Sequence, residues 1–277
     1  MLTLQEISAA VEIGLIYGIL AMGIYLTFRT INFPDLSCDG SFVTGAAISS
    51  VMIKSGCDPY LALLIAALGG GLAGIFTGIL NVYMKIEDLL SGIIVAFALY
   101  SVNLRIMGTS PNLTLVDEIT IFSGGNSLLI ACAVTVVPVA FFTYLLNTDF
   151  GLGLRSIGQN RQLASASGVN VNAMLIFGLA VSNAMVGMCG ATFTQYQGFC
   201  DVSQGIGSLV VGLTSVIIGE KLLNRFNVFV ACVVGSIAYR IFIAFAINSD
   251  VLGLKTQDLN LITGLLIIFT MGRKKSC

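Results

Sequence analysis

Long apolar stretches recur along the whole of this 277-residue chain, separated only by short polar joints. A helix needs about 20 mostly apolar residues to cross a bilayer, and most of these stretches reach that length. Hydrophobic residues make up 56% of the chain and charged residues 10%, against about 25% charged residues in a soluble domain. The sequence therefore predicts an all-α integral membrane protein, a polytopic helical bundle embedded in the lipid bilayer as a single domain, residues 1–277.

The apolar segments predict about 8–10 spans, including short or broken helices. Three segments are shorter than a full crossing requires, so they are tilted, extended by neighbouring residues, or broken within the bilayer. These three are 41–53, 207–219 and 258–271. The other six are 7–28, 60–83, 89–108, 127–146, 172–194 and 226–246.

Lysine and arginine indicate the orientation, because basic loops stay in the cytoplasm. If the 147–171 loop is cytoplasmic, alternation of the spans places the N-terminus outside and the C-terminus inside. Only Lys54 and Lys255 then lie outside, and Arg105 and Arg240 lie within spans. The basic residues that fall inside are Arg29, Lys85, Arg155, Arg161, Lys221, Arg225, Arg273, Lys274 and Lys275.

Two polar joints share the pattern F-x-D-x-S, at residues 33–37 and 199–203. Glycine and serine follow each joint, and then one of the short segments begins. The orientation makes the first joint cytoplasmic and the second external, which favours an inverted-topology repeat with halves at about 7–146 and 172–271. The alternative is chance recurrence, because aspartate and serine are common in polar turns.

Paired short segments of this kind indicate a translocation pathway in membrane transporters. The aspartates at the joints either cap helix N-termini or line the route, and the two roles are compatible. Glu12, Arg105 and Arg240 are costly at membrane depth, so each either serves the pathway or reaches towards the headgroups. The candidate pathway residues are Asp35, Ser37, Asp39, Gly40, Gln195, Asp201, Ser203 and Gly205.

The composition argues against several functional classes. Histidine is absent, which removes the commonest metal ligand and the commonest general base, so neither a metal site nor a catalytic site is predicted. A net charge of −1 gives no basic surface for nucleic acid. The seven cysteines are scattered singly and are interpreted as small buried apolar residues.

The polar loop at 147–171 is far longer than a connector between two spans needs. Asn160 is suited to cap a short helix, and Gly168 is suited to end it. Such a helix, standing clear of the membrane, offers a surface to a partner protein. The alternative is a plain connector. The candidate coupling residues are Arg155, Gly158, Asn160, Arg161, Ala164, Ala166 and Gly168.

Three stretches together resemble permeases of ABC importers of the branched-chain amino acid type, and the resemblance covers about residues 10–270. Residues 153–170, GLRSIGQNRQLASASGVN, resemble the coupling-helix region of that family. Residues 31–42, INFPDLSCDGSF, resemble the segment entering its second helix, and residues 197–220 resemble its later half. Typical members carry N-F-A-H-G where residues 32–35 here read N-F-P-D, which argues against branched-chain amino acids themselves. The motif F-P-D-L-S-x-D-G-S-F at residues 33–42 resembles that of a branch linked to amino-acid-like and aromatic solutes.

The resemblance implies a permease that works with several partners. These are a second permease copy, cytoplasmic ABC ATPase subunits on the coupling helices, and an extracellular or periplasmic solute-binding protein. The chain contains no G-x-x-x-x-G-K-[ST] loop, so ATP is expected to bind the partner subunit and no cofactor is expected here. The leading hypothesis is thus an importer permease of the bacterial cytoplasmic membrane. The alternative is a secondary transporter driven by an ion gradient, which an inverted repeat also permits.

Overall fold

The computed structural model describes residues 4–223, residues 227–248 and residue 264. Helices dominate it, and the short strands β1 (Asn112–Thr114) and β2 (Phe199–Asp201) form one antiparallel pair. The first helix continues into a π-helical turn at Leu26–Ile31. The helices are α1 Leu4–Tyr25, α2 Cys38–Lys54, α3 Pro59–Val82, α4 Asp88–Ile106, α5 Ser127–Leu146, α6 Asp149–Gln159, α7 Arg161–Ala166, α8 Val171–Gln197, α9 Ser208–Leu222 and α10 Val228–Asn248.

Six of these helical stretches are long and apolar enough to cross a membrane: residues 5–31, 59–82, 88–106, 127–146, 171–197 and 228–247. The predicted all-α polytopic membrane protein is confirmed. Each of the first eight apolar segments corresponds to a helix, with ends that differ from the prediction by only a few residues. The ninth segment, 258–271, lies outside the described residues.

The short segments 41–53 and 207–219 form α2 and α9, of 17 and 15 residues. At 1.5 Å per residue they are about 26 and 23 Å long, less than the roughly 30 Å hydrocarbon core of a bilayer. Both lie inside the bundle rather than at its rim. Helix α2 packs between α3, α4 and α8, and α9 packs between α1 and α10.

Glycines allow the helices around α8 to approach one another closely. A side chain at Gly45 of α2 would overlap the backbone of Gly187 on α8. A side chain at Gly70 of α3 would overlap the Asn183 carbonyl. The small residues of α3 are therefore a packing surface, as expected where backbones meet in a membrane bundle.

The helix contacts occur in matched pairs. Helix α1 packs on α10 as α8 packs on α3, and α9 packs on α1 as α2 packs on α8. Two halves related by a twofold axis would make this pattern. The inverted repeat, with its halves at about 7–146 and 172–271, nevertheless stays a prediction, because the last segment of the second half lies outside the described residues.

Candidate translocation pathway and coupling segment

The first polar joint is organised by hydrogen bonds to Asp35, which is fully buried. Its Oδ1 accepts hydrogen bonds from the backbone N–H of Ser37 at 2.8 Å and from the Ser37 hydroxyl at 2.6 Å. Its Oδ2 accepts a hydrogen bond from Nδ2 of Asn183 at 2.7 Å. Asn183 lies near the middle of α8, so this joint is fixed deep in the bundle.

The second joint forms the same local turn in a more open setting. Oδ1 of Asp201 accepts a hydrogen bond from the backbone N–H of Ser203 at 2.6 Å, just as Asp35 does from Ser37. Asp201 is only partly buried and Ser203 is exposed. Strand β2 of this joint pairs with β1, which lies in the α4–α5 connection. The second joint and that connection therefore lie on one face of the bundle.

The N-termini of the two short helices meet at Asp39. Its Oδ1 accepts hydrogen bonds from the backbone N–H of Leu209 at 2.9 Å and from the Ser208 hydroxyl at 2.8 Å. Its Oδ2 accepts a third from the backbone N–H of Gly207 at 3.1 Å. Capping was one of the two roles expected for Asp39, but the helix that it caps is α9, not its own helix α2. A carboxylate at this position satisfies orphan N–H groups and favours the positive end of the helix dipole.

A groove of about 460 Å³ lies beside this meeting point, between α2, α4 and the second joint. Asp39 and Gly40 line it, but the other predicted pathway residues do not. Asn103 of α4 also lines the groove, and its Nδ2 donates to the Gly40 carbonyl at 3.2 Å. The sequence signal for Asn103 is a lone amide in an apolar helix. The remaining lining residues are Leu36, Val43, Ile93, Ala96, Phe97, Tyr100, Val202 and Ile206.

Gln195 lies elsewhere, buried near the end of α8. Its Nε2 donates to the Ser49 hydroxyl at 3.0 Å and to the Pro59 carbonyl at 3.2 Å. Its Oε1 accepts a hydrogen bond from the backbone N–H of Ile121 at 3.2 Å. These contacts join α8 to α2, α3 and the α4–α5 connection, so Gln195 holds this end of the bundle together.

The 147–171 segment contains two helices, α6 and α7. Asn160 caps α7 as expected, with its Oδ1 accepting from the backbone N–H groups of Gln162 and Leu163 at 3.0 Å each. Gly168 follows α7 with φ = +85°, a left-handed conformation that suits glycine and ends the helix. Helix α6 was not predicted, because its glycines at positions 151, 153 and 158 weaken a helical interpretation of the sequence.

Those same glycines explain how α6 sits against the bundle. A side chain at Gly158 would overlap the Thr30 carbonyl at the end of the first span. Gly151 lies against Leu146 of α5, and Gly153 lies against Met174 of α8. Helix α6 is therefore packed directly on the ends of three spans.

Helix α7 is fixed to the turn between α3 and α4. The Arg161 guanidinium forms a 2.7 Å ion pair with Asp88, whose other oxygen accepts a hydrogen bond from Asn81 at 2.7 Å. Ala164 faces inward, whereas Ala166 and Arg155 are exposed. Leu163 is 66% exposed, so α7 presents an apolar side chain outward.

Two of the three ionisable groups predicted within spans, Glu12 and Arg240, make contacts inside the bundle. Glu12 is buried and accepts hydrogen bonds from the hydroxyls of Ser127 and Tyr196, each at 2.8 Å. Arg240 lies midway along α10, with its guanidinium 4.0 Å above the Tyr17 ring, rather than at a helix end. Arg105 is exposed in the last turn of α4.

The cysteines divide into two groups. Cys38, Cys189, Cys200 and Cys232 are buried as predicted. Burial raises the pKa of the Cys200 thiol to about 11, which keeps it protonated and unreactive near neutral pH. The prediction of buried thiols is wrong for Cys57 and Cys132, which are exposed, and Cys277 lies outside the described residues.

A polytopic helical bundle with two short internal helices is an architecture that membrane transporters use. The family model for the permease component of branched-chain amino acid transport systems matches residues 7–271. This chain therefore belongs to the branched-chain amino acid permease family, as the sequence resemblance indicated.

Curated relatives agree with this assignment. A tyrosine transport system permease protein of Clostridioides difficile is 40% identical over 92% of this chain and 86% of its own length. An uncharacterized protein of Rickettsia prowazekii is 30% identical over 96% of both chains. An autoinducer 2 import system permease protein of Escherichia coli is 25% identical over 85% of this chain and 70% of its own. The protein is thus a permease component of an ABC-type transport system.

Proposed function

We propose that this protein is the translocating subunit of an ABC importer that moves a small amino-acid-like solute into the cytoplasm. ATP binds to and is hydrolysed by a separate ATPase subunit. A second permease copy completes the membrane part, and a solute-binding protein delivers the solute from outside. The chain lies in the bacterial cytoplasmic membrane with its N-terminus outside and its C-terminus inside.

The observation that carries the proposal is the attachment of the α6–α7 segment. Helix α6 packs on the ends of α1, α5 and α8 through glycine contacts, and Arg161 of α7 pairs with Asp88 at the start of α4. A force that an ATPase subunit exerts on α7 is therefore transmitted to spans in both predicted halves. The exposed Leu163 gives an ATPase an apolar contact of the kind that anchors protein interfaces.

Co-purification with the ATPase subunit, followed by ATP-dependent uptake in proteoliposomes, tests this function. We expect Leu163→Glu to reduce ATPase recovery by about tenfold or more, since a buried charge at an interface costs several kcal/mol. Val116→Glu is the matched control, because Val116 is 80% exposed and lies in the α4–α5 connection, away from α7. Normal recovery with the Leu163 variant would contradict the coupling role. Uptake that persists without ATP and collapses with an ion gradient would support the secondary transporter instead.

A further inference from the structure

Two grooves of similar size flank α4. The first, the α2–α4 groove, has a volume of about 460 Å³ and contains Asp39, Asn103 and Tyr100 among its lining residues. The second, the α3–α4 groove, has a volume of about 430 Å³ and is lined by aliphatic residues, Phe76 and the hydroxyl-bearing Thr44. Thr44 uses its hydroxyl inside the bundle, donating to Oδ1 of Asn103 at 2.9 Å.

The two grooves differ in chemical character, because the carboxylate of Asp39 lines only the α2–α4 groove. Ionisable side chains at membrane depth face a bundle interior or a water-filled cavity, because exposure to lipid is costly. Asp39 is only partly buried and borders the α2–α4 groove, so this groove faces an aqueous route. The α3–α4 groove has no such group among its described lining residues and suits lipid acyl chains.

Asp39 also retains capacity for a ligand. A carboxylate has about four acceptor positions, and α9 occupies two on Oδ1 and one on Oδ2. Within residues 4–223 and 227–248, Gly207 alone donates to Oδ2, so a donor entering the groove can take its remaining position. A protonated amine is the donor that a carboxylate binds most strongly at a site of this kind.

The side chains that line the α2–α4 groove are suited to contact an aromatic ring of a solute. Phe97 is 76% exposed and Tyr100 is half exposed, and both line the groove on α4. Val43 and Val202 form its buried floor. A volume of about 460 Å³ falls within the roughly 300–1,000 Å³ of small-molecule pockets.

We infer that the α2–α4 groove is a solute subsite of the pathway for an amino acid with an aromatic side chain. Asp39 receives the ammonium group of the solute, and Phe97 and Tyr100 contact its ring. This inference rests on the proposed function, because it assumes that a solute passes through this chain.

Cysteine accessibility tests the subsite without the ATPase or the binding protein. Ala96 lines the α2–α4 groove and Ala98 lines the α3–α4 groove, so one helix supplies a matched pair of small residues. The background is a chain with Cys57→Ser, Cys132→Ser and Cys277→Ser. In membrane vesicles of both orientations, Ala96→Cys in this background is treated with a charged methanethiosulfonate reagent. We expect it to react at least tenfold faster than Ala98→Cys. L-tyrosine should slow that reaction, and 3-(4-hydroxyphenyl)propionate, which lacks the amine, should not.

Phe97→Cys and Phe76→Cys repeat the comparison at larger exposed positions, in case either alanine variant fails to fold. Adding Asp39→Asn to Ala96→Cys should leave the thiol accessible to the reagent and abolish protection by tyrosine. Equal rates in the two grooves, or equal protection by the amine-free compound, would overturn the inference. ATP-dependent uptake by the intact wild-type transporter is scored separately, so failure of the subsite is distinguishable from failure of the proposed function.

Discussion

The two polar joints share a sequence pattern and a local turn, but they differ in the residue that each places beyond the turn. Asp35 and Asp201 each accept the backbone N–H two residues later. Four residues after each aspartate the chain carries Asp39 in the first joint and Gly205 in the second. These two positions lie against each other, since a side chain at Gly205 would overlap the Asp39 carbonyl.

This difference explains why the two halves are not symmetric where the N-termini of α2 and α9 meet. A side chain at Gly205 does not fit against the backbone of Asp39 where the N-termini of α2 and α9 converge. The first half therefore supplies the carboxylate, and the second half supplies a glycine that lets the two backbones approach. The carboxylate caps the opposite helix and borders the α2–α4 groove. The ionisable group therefore follows the first joint, and the segment after the second joint supplies the backbone N–H groups that donate hydrogen bonds to it.

The sharpest test of the comparison concerns the sides on which the joints open. Asn32, immediately before the first joint, and Ser203, in the second, are both exposed. In a chain with Cys57→Ser and Cys277→Ser, an impermeant maleimide added to right-side-out vesicles should label Ser203→Cys and not Asn32→Cys. Inside-out vesicles should give the reverse, an all-or-none difference. Labelling of both variants from one side would contradict the inverted repeat.

The largest effect on stability is expected at Gly205. Valine at this position overlaps the backbone carbonyl of Asp39, which cannot rotate out of the way as a side chain can, and also the Val43 side chain. We expect a loss of about 3 kcal/mol or more, measured as a lower temperature of aggregation by size-exclusion chromatography in detergent.

Gly124→Val is the control for this substitution, because no atom lies within reach of an added Cβ there. A Gly205→Val protein as stable as the Gly124 variant would show that the two joints do not meet as described.

A smaller but clear difference in stability is expected between the Asp35→Ala and Asp201→Ala variants. Asp35→Ala leaves one N–H of the Asn183 amide and the backbone N–H of Ser37 without an acceptor in the buried core, at a cost of about 2–4 kcal/mol, while the other Asn183 N–H keeps the Leu179 carbonyl. Asp201→Ala leaves the backbone N–H of Ser203 near solvent, so about 1 kcal/mol or less is expected. Thermal unfolding of the two variants measures this difference, and equal losses would mean that the joints are equally buried.

Sequence patterns predicted the helices well, because apolar length alone decides which segments cross a bilayer. The cap by Asn160 and the stop at Gly168 were also predictable, since both are local. The capping of α9 by Asp39 was not, because its partners lie about 170 residues away and no local pattern records them. Helix α6 was missed for a related reason, since its glycines lower local helix propensity and serve contacts with distant spans.

The smallest effect is expected at the ion pair between the end of the first span and α9. Arg29, just before the first joint, pairs with Glu220 in the last turn of α9 at 2.5 Å. Both side chains are substantially exposed, so solvent screens the pair and Arg29→Gln should cost no more than about 1 kcal/mol. The thermal shift should vanish at high salt, as it does for screened surface pairs. A loss comparable to that of Asp35→Ala would mean that solvent does not screen the pair and that it carries much of the packing between the first span and α9.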